Sequence, residues 1–252
     1  MEPEVLVLLV LAGLVAGFLD SIVGGGGVIT LPALLAAGLP PHLAVGTNKV
    51  VGTGASSIAT WNYARAGLLH RRLAWRLFPL SLVAAMVGAA AVLRLRGEFI
   101  LAAVIVVMVV LTAYILLRPR FGAVDRTDLS RGTVLALAAM ALAAGFYDGL
   151  LGPGTGNLLL FGFVAIAGMP FLRAAAHGRV LNFGSNIGAL ALFAWAGSVD
   201  WVVGPVMAVG TVTGAYLGSR SNIRAGATWV RPLFVVVTLA LFVRLAATYL
   251  TA

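Results

Sequence analysis

The chain has 252 residues, 61% of them hydrophobic and only 10% charged, with a mean hydropathy of +1.06 and a net charge of +9. A soluble domain carries about 25% charged residues, so this chain cannot coat a globule. Its length suits several membrane spans of roughly 20 residues each and leaves no room for a large soluble domain beside them. The charge does not point to nucleic acid. Sixteen of the seventeen basic residues are Arg, and most occupy short stretches between apolar runs, the placement that marks the cytoplasmic side of a membrane protein. The absence of cysteine excludes disulfides, thiol catalysis and thiolate metal sites, and three scattered histidines have no ligand spacing. No cofactor and no metal are expected.

Glu2 and Glu4 stand where a cleavable signal peptide would be basic, so the first apolar run is expected to stay as structure. The apolar segments are 5–23, 28–37, 43–64, 77–93 and 99–117, then 132–151, 156–168, 174–196, 201–219 and 228–250. Between them RPRFGAVDRTDLSR, at 118–131, is the most polar stretch. The expected fold is an all-α polytopic membrane protein with an N-terminal repeat over 1–118, a cytoplasmic linker over 119–131 and a C-terminal repeat over 132–252.

The two halves read against each other. GFLDSIVGGG at 17–26 matches GFYDGLLGPG at 145–154. Lys49-Val50 then matches Arg179-Val180, Gly54 matches Gly184, Gly67 matches Gly197, and Pro79 and Gly88 match Pro205 and Gly214. The near-constant spacing indicates a duplication.

Basic residues set the orientation. Loop 65–76 carries Arg65, Arg71, Arg72 and Arg76, while its counterpart near 197–201 carries none. With loops 65–76, 118–131 and 219–231 inside together with Arg173, twelve basic residues lie inside; Arg94 and Arg96 alone lie outside. Segment 5–37 then starts and ends outside, and segment 132–168 starts and ends inside. Each half is a glycine-broken membrane hairpin followed by three transmembrane helices. The odd number of crossings makes the two repeats inverted, a plan common in secondary transporters. Both termini are expected outside a multi-pass cell membrane. The second hairpin arm is short: 28–37 rises about 15 Å, half a bilayer, which puts the glycine breaks near the midplane. Unpaired backbone there must be buried in protein or line a wet cavity.

The breaks are the first candidate site: Gly24, Gly25, Gly26 and Gly27 in one half, and Gly152, Gly154 and Thr155, with Asn157 just beyond, in the other. A helix starting at each break presents free N–H donors and partial positive charge, which suit an anion. The competing reading is that the glycines only let helices pack closely. Lys49 and Arg179 are equivalent cations inside apolar segments, where a charge must face a cavity or a partner. Lys49, Thr53 and Ser56 share one helix face, and Arg179, Asn182 and Asn186 another. Snorkelling is the alternative for both cations. Asp20 and Asp148 each precede a break by four residues. A salt bridge to Lys49 or Arg179, a bond to freed backbone N–H groups, proton coupling and a cation site are the four readings. The tryptophans at 61, 75, 195, 201 and 229 fall near segment ends, as an interfacial belt does. Arg244, near a helix end, is given no role.

The runs GFLDSIVGGGGVITLPALL, AVGTNK, HGRVLNFGSNIGAL and AGSVDW resemble those of the sulfite exporter TauE/SafE family of membrane permeases, over nearly the whole chain. The resemblance implies transport of sulfite, organosulfonates or related sulfur oxyanions, and supports Lys49, Arg179, Asn182, Ser185 and Asn186 as positions matching the family's motifs. Arg179 stands where that family commonly has Lys, and Thr47-Asn48 where small residues plus Ser are common. The expected function is an alternating-access secondary transporter of a small sulfur-containing oxyanion, with a passive anion channel as the alternative. The expected partners are that anion, the lipid bilayer and a proton or cation as coupling ion. A membrane enzyme is not expected, since no HExxH and no convergent His/carboxylate set is present.

Overall fold

The structure is a computed structural model that describes residues 2–100 and 127–225. Most of segment 99–117, the first part of the linker, segment 228–250, Trp229 and Arg244 lie outside the described residues. Among those residues all regular structure is helical. In chain order the helices are α1 (Pro3–Val23), α2 (Gly27–Ala36), α3 (Pro41–Arg65), α4 (Arg71–Val92), α5 (Arg131–Leu150), α6 (Thr155–Ala167), α7 (Phe171–Trp195) and α8 (Val203–Ala225). α1, α4 and α5 are each long and apolar enough to cross a membrane. α3 and α7 are 25 residues each, and their polar residues are largely buried.

The apolar runs locate the elements, with two corrections at the basic ends. Arg71, Arg72 and Arg76, read as loop, form the first turns of α4, and Arg220 and Arg224 lie on the last turns of α8. Arg is a good helix former whose long stem lets its charge reach water from a helical position, so the helix runs on past the apolar limit.

Opposed contacts give the directions. On α1 and α8, Gly13 faces Met207, Gly17 faces Thr211, and Gly218 faces Phe18 and Ser21, so the two run parallel. α3 joins them in the same sense, with Thr211 donating to the Val51 carbonyl and Asn62 to Ser219. α4, α5 and α7 form a second parallel set: Gly145 faces Ser81, Gly149 faces Ala85, and Ser81 donates to the Leu181 carbonyl. The sets meet where α3 and α7 cross antiparallel, with Gly46 against Phe193 and Gly52 against Asn186. Each set therefore holds two long helices of one half and one of the other.

The set contacts are close because small residues line them. At Gly149 an added Cβ would fall on the Ala85 carbonyl, and at Gly88 on that of Phe146. In lipid, where apolar burial between helices gives little, such backbone approach and dispersion hold helices together.

Candidate functional site

The two glycine breaks meet at the centre. α1 ends at Val23 and α2 starts at Gly27; α5 ends at Leu150 and α6 starts at Thr155. Gly24 and Gly25 have φ of 89° and 94°, a region in which a side chain is strained, so the reversal between α1 and α2 needs glycine. Gly24 packs on the backbone of Gly156 and Asn157, and Gly27 on Pro153. The Asn157 amide is directed at the carbonyl oxygens of Val23 and Gly24, which assigns its NH2 to that side and ties α6 to the end of α1.

Beside this junction lies a cavity of about 410 Å³, counting its open mouth. The breaks line it through Gly25, Gly26, Gly27, Gly152, Gly154, Thr155 and Gly156. Side-chain amides come from Asn48, Asn182 and Asn186, hydroxyls from Thr30 and Thr211, and carboxylates from Asp20 and Asp148. Its level is set by the middles of α3 and α7, where Gly52 and Asn186 touch. The backbone N–H groups of Gly25, Gly27, Gly154 and Gly156 make no hydrogen bond among the described residues. Two helix N-termini whose donors are unbonded among the described residues thus border one space.

Of the four readings of the acids, the ion pair is present twice and always across the halves. Asp20 Oδ2 lies 2.5 Å from Arg179 Nη1. Asp148 Oδ1 lies 3.1 Å from Lys49 Nζ, and Lys49 also donates to the Asp148 carbonyl. The bond to freed backbone N–H is present once, from Gly26 N–H to Asp20 Oδ1 at 2.7 Å. Ser185 completes the other acid, its hydroxyl donating to Asp148 Oδ2 at 2.5 Å. The Arg179 guanidinium also reaches Asn182 Oδ1, at 3.4 Å. All four charged groups are satisfied and their charges cancel.

The cations therefore do not line the cavity; they stand behind the acids. On α3 the lining face is Asn48, Val51, Gly52 and Ala55, next to the face of Lys49, Thr53 and Ser56. Ser56 bonds back to the Gly52 carbonyl, and the buried Thr53 hydroxyl has no partner among the described residues. Asn48, Thr30 and Thr211 were not legible as site residues. Asn48 directly precedes Lys49, but the residues one and two turns on, Gly52 and Ala55, are not polar, so no polar stripe marks its face. Its amide oxygen accepts from Thr30 at 2.5 Å, joining α2 to α3.

Beyond the cavity, each end of the α3–α7 crossing holds one buried ring. Tyr63 of α3 clusters with Ala59 and with Ala176 of α7, and its hydroxyl donates to the Ser21 carbonyl at 2.7 Å. Phe193 of α7 packs on Gly46 of α3. With Lys49 aligned on Arg179, Tyr63 falls opposite Phe193 and Gly46 opposite Ala176 in the sequence. His177, fully buried near the Tyr63 end, accepts from the His70 N–H at 3.0 Å and is not part of the cavity. Among the described residues no cluster of His, Cys, Asp and Glu has the makeup of a metal site.

Comparison with known proteins identifies relatives of the sequence. The family model described as Sulfite exporter TauE/SafE matches residues 9–245. The chain is 41% identical over 244 residues to "Probable membrane transporter protein ORF9" of Sinorhizobium sp, covering 97% of this chain and 93% of that protein. It is 36% identical over 244 residues to "Probable membrane transporter protein YfcA" of Escherichia coli (strain K12), covering 97% of this chain and 90% of that protein. A "Probable membrane transporter protein" of Haemophilus influenzae is 34% identical over 235 residues, 93% of this chain and 92% of its own length.

Proposed function

The chain belongs to the sulfite exporter TauE/SafE family, a family of membrane transporters rather than enzymes, and from that premise we propose that it is a secondary transporter of a small sulfur-containing oxyanion. Sulfite, an organosulfonate or a similar anion is its substrate, carried across the cytoplasmic membrane by alternating access. The observation that carries this reading is the convergence of the α2 and α6 N-termini, with N–H groups unbonded among the described residues, on one cavity rich in amide and hydroxyl groups. Each helix end is equivalent to about +0.5 charge. With the four side-chain charges cancelled, the cavity carries a surplus of about one positive charge, suited to one monoanion.

In this reading the halves 1–118 and 132–252 are inverted repeats joined by the cytoplasmic linker 119–131, with both termini outside. The antiparallel run of α3 and α7, which share the register of the duplication, supports it. Gly24–27, Gly152, Gly154, Thr155 and the α7 residues Asn182, Ser185 and Asn186 surround or support the substrate, and Lys49 and Arg179 balance the charge of the two acids on its wall. The Tyr63 and Phe193 contacts are the inner and outer closures, which open in turn as the two helix sets rock about the site. A proton or cation is the coupling ion.

Reconstitution tests the proposal. Proteoliposomes containing the protein are given sulfite, sulfate, thiosulfate, sulfoacetate or taurine under imposed pH and cation gradients. Accumulation of one of the sulfur oxyanions against its own gradient, driven by an imposed ion gradient, is expected. Flux that only follows the anion's gradient would make the protein a passive channel, and no flux of any of these would remove the substrate class.

A further inference from the structure

The charged side chains on the cavity wall are the acids, while the bases lie behind them. For a site that takes an anion this order is backwards, and the surroundings of Asp20 give the reason. One carboxylate oxygen takes a guanidinium N–H of Arg179, and the other takes the Gly26 N–H at the start of α2. A guanidinium fork and a helix-terminal N–H, converging on two oxygens of one group, are the donors an oxyanion recruits. The carboxylate is lodged against the turn, since a Cβ on Gly26 would lie 2.6 Å from the Asp20 Cβ.

We propose that the Asp20 carboxylate is an intramolecular stand-in for the substrate, occupying the anion-binding donors of the empty site and giving them up when an anion enters. The inference rests on the proposed function and names what the substrate must displace. It explains how Arg179 can be both paired and available: an isolated guanidinium in an apolar core is costly, and the stand-in removes that cost between substrates. It also sets specificity, because an anion without two oxygens to span Arg179 and Gly26 cannot replace what it displaces.

Asp148 is not equivalent. Its oxygens are held by Lys49 and Ser185, both side chains, and among the described residues no helix-terminal N–H reaches it. Its side chain is 3% exposed, against 13% for Asp20. The exchange belongs to Asp20, and Asp148 serves as the internal comparison.

The test measures binding of sulfite and of sulfoacetate to the purified full-length protein by isothermal titration, with thermal shift as a second readout. Asp20→Asn keeps the shape and an acceptor for Gly26 but gives Arg179 no charge. Anion affinity is expected to rise at least tenfold in Asp20→Asn, whereas Asp148→Asn shows no gain and unfolds at lower temperature. A merely structural Asp20 predicts the opposite sign. Unchanged or weaker binding in Asp20→Asn overturns the inference and leaves the proposed function standing, provided the parent binds. Should Asp20→Asn fail to fold, Asp20→Ser is held to the same expected gain, and failure of both to fold also overturns the inference, since the carboxylate would then be a structural support. If neither anion binds the parent or any variant, the proposed function falls together with it.

Discussion

Lys49 and Asp148 are buried as a pair, their side chains 1% and 3% exposed. Removing two charges from water costs several kcal/mol per ion, and only a close partner with further hydrogen bonds offsets it. Lys49→Ala, which leaves Asp148 charged and alone, is therefore expected to destabilise the protein by about 3–5 kcal/mol. The double variant Lys49→Met/Asp148→Asn should recover most of that loss. Thermal unfolding in detergent reads both, and a single variant as stable as the parent would show that the pair is not formed. Arg179→Ala should lose anion transport while remaining in the membrane, since one charged hydrogen bond contributes about 1.5–3 kcal/mol, at least tenfold in affinity. Sequence identified all four charged residues but left the pairing open. Each partner lies over 90 residues away in the other half, and no local pattern reports a contact at that range.

At the scale of helices, the crossings within each set depend on backbone approach. Gly149 sits on the Ala85 carbonyl, whereas Gly132, in the same helix, has nothing within 4 Å of an added Cβ. Gly149→Ala must push α5 off α4 and should cost about 1–3 kcal/mol, the range for overpacking. Gly132→Ala meets open space and should stabilise by about 0.5–1 kcal/mol through helix propensity. Thermal unfolding of the two variants side by side compares them, and equal effects would mean that α4 and α5 do not touch there. The start of α5 has its own pH dependence. The Thr133 hydroxyl first, then the N–H and hydroxyl of Ser130, hold the Asp128 carboxyl below its ordinary value. Its folded value is lowered, so the contribution is fully present above the ordinary carboxylate value and is lost as pH falls through the lowered one. Protection factors, the intrinsic exchange rate at each pH divided by the observed rate, should fall in the first turn of α5 over that acid window in the parent and not in Asp128→Asn.

For the whole molecule, the decisive expectation is orientation. The chain has no cysteine, so single cysteines report without background. Asp125→Cys, in the linker, should be labelled by an impermeant thiol reagent only after the membrane is opened, and a cysteine at Glu2 should be labelled in intact cells. Labelling of position 125 from outside would refute the inverted arrangement, because the basic loops would then face the wrong side. The same reagent tests the proposed closures. A cysteine at Ala176, under Tyr63, should be reached from the cytoplasmic side alone.

Composition determined by itself that the chain lives in a membrane, because 10% charged residues cannot clothe a soluble surface. Among the described residues, hydrophobic runs located the helices to within a few residues, except where arginines carry α4 and α8 beyond their apolar limits. The expected duplication rested on glycines, cations and acids that recur at near-constant spacing, and it singled out the breaks, Lys49, Arg179 and both aspartates as one group. Tertiary structure alone decided how that group is wired. It set acids in front of cations, paired each across the halves, and turned Asn48, Thr30 and Thr211 into the cavity in place of Thr53 and Ser56. The physical reason is that a helical period says which residues share a face but not which way the face points. That direction is chosen by the close glycine crossings between distant helices, and those crossings set the site.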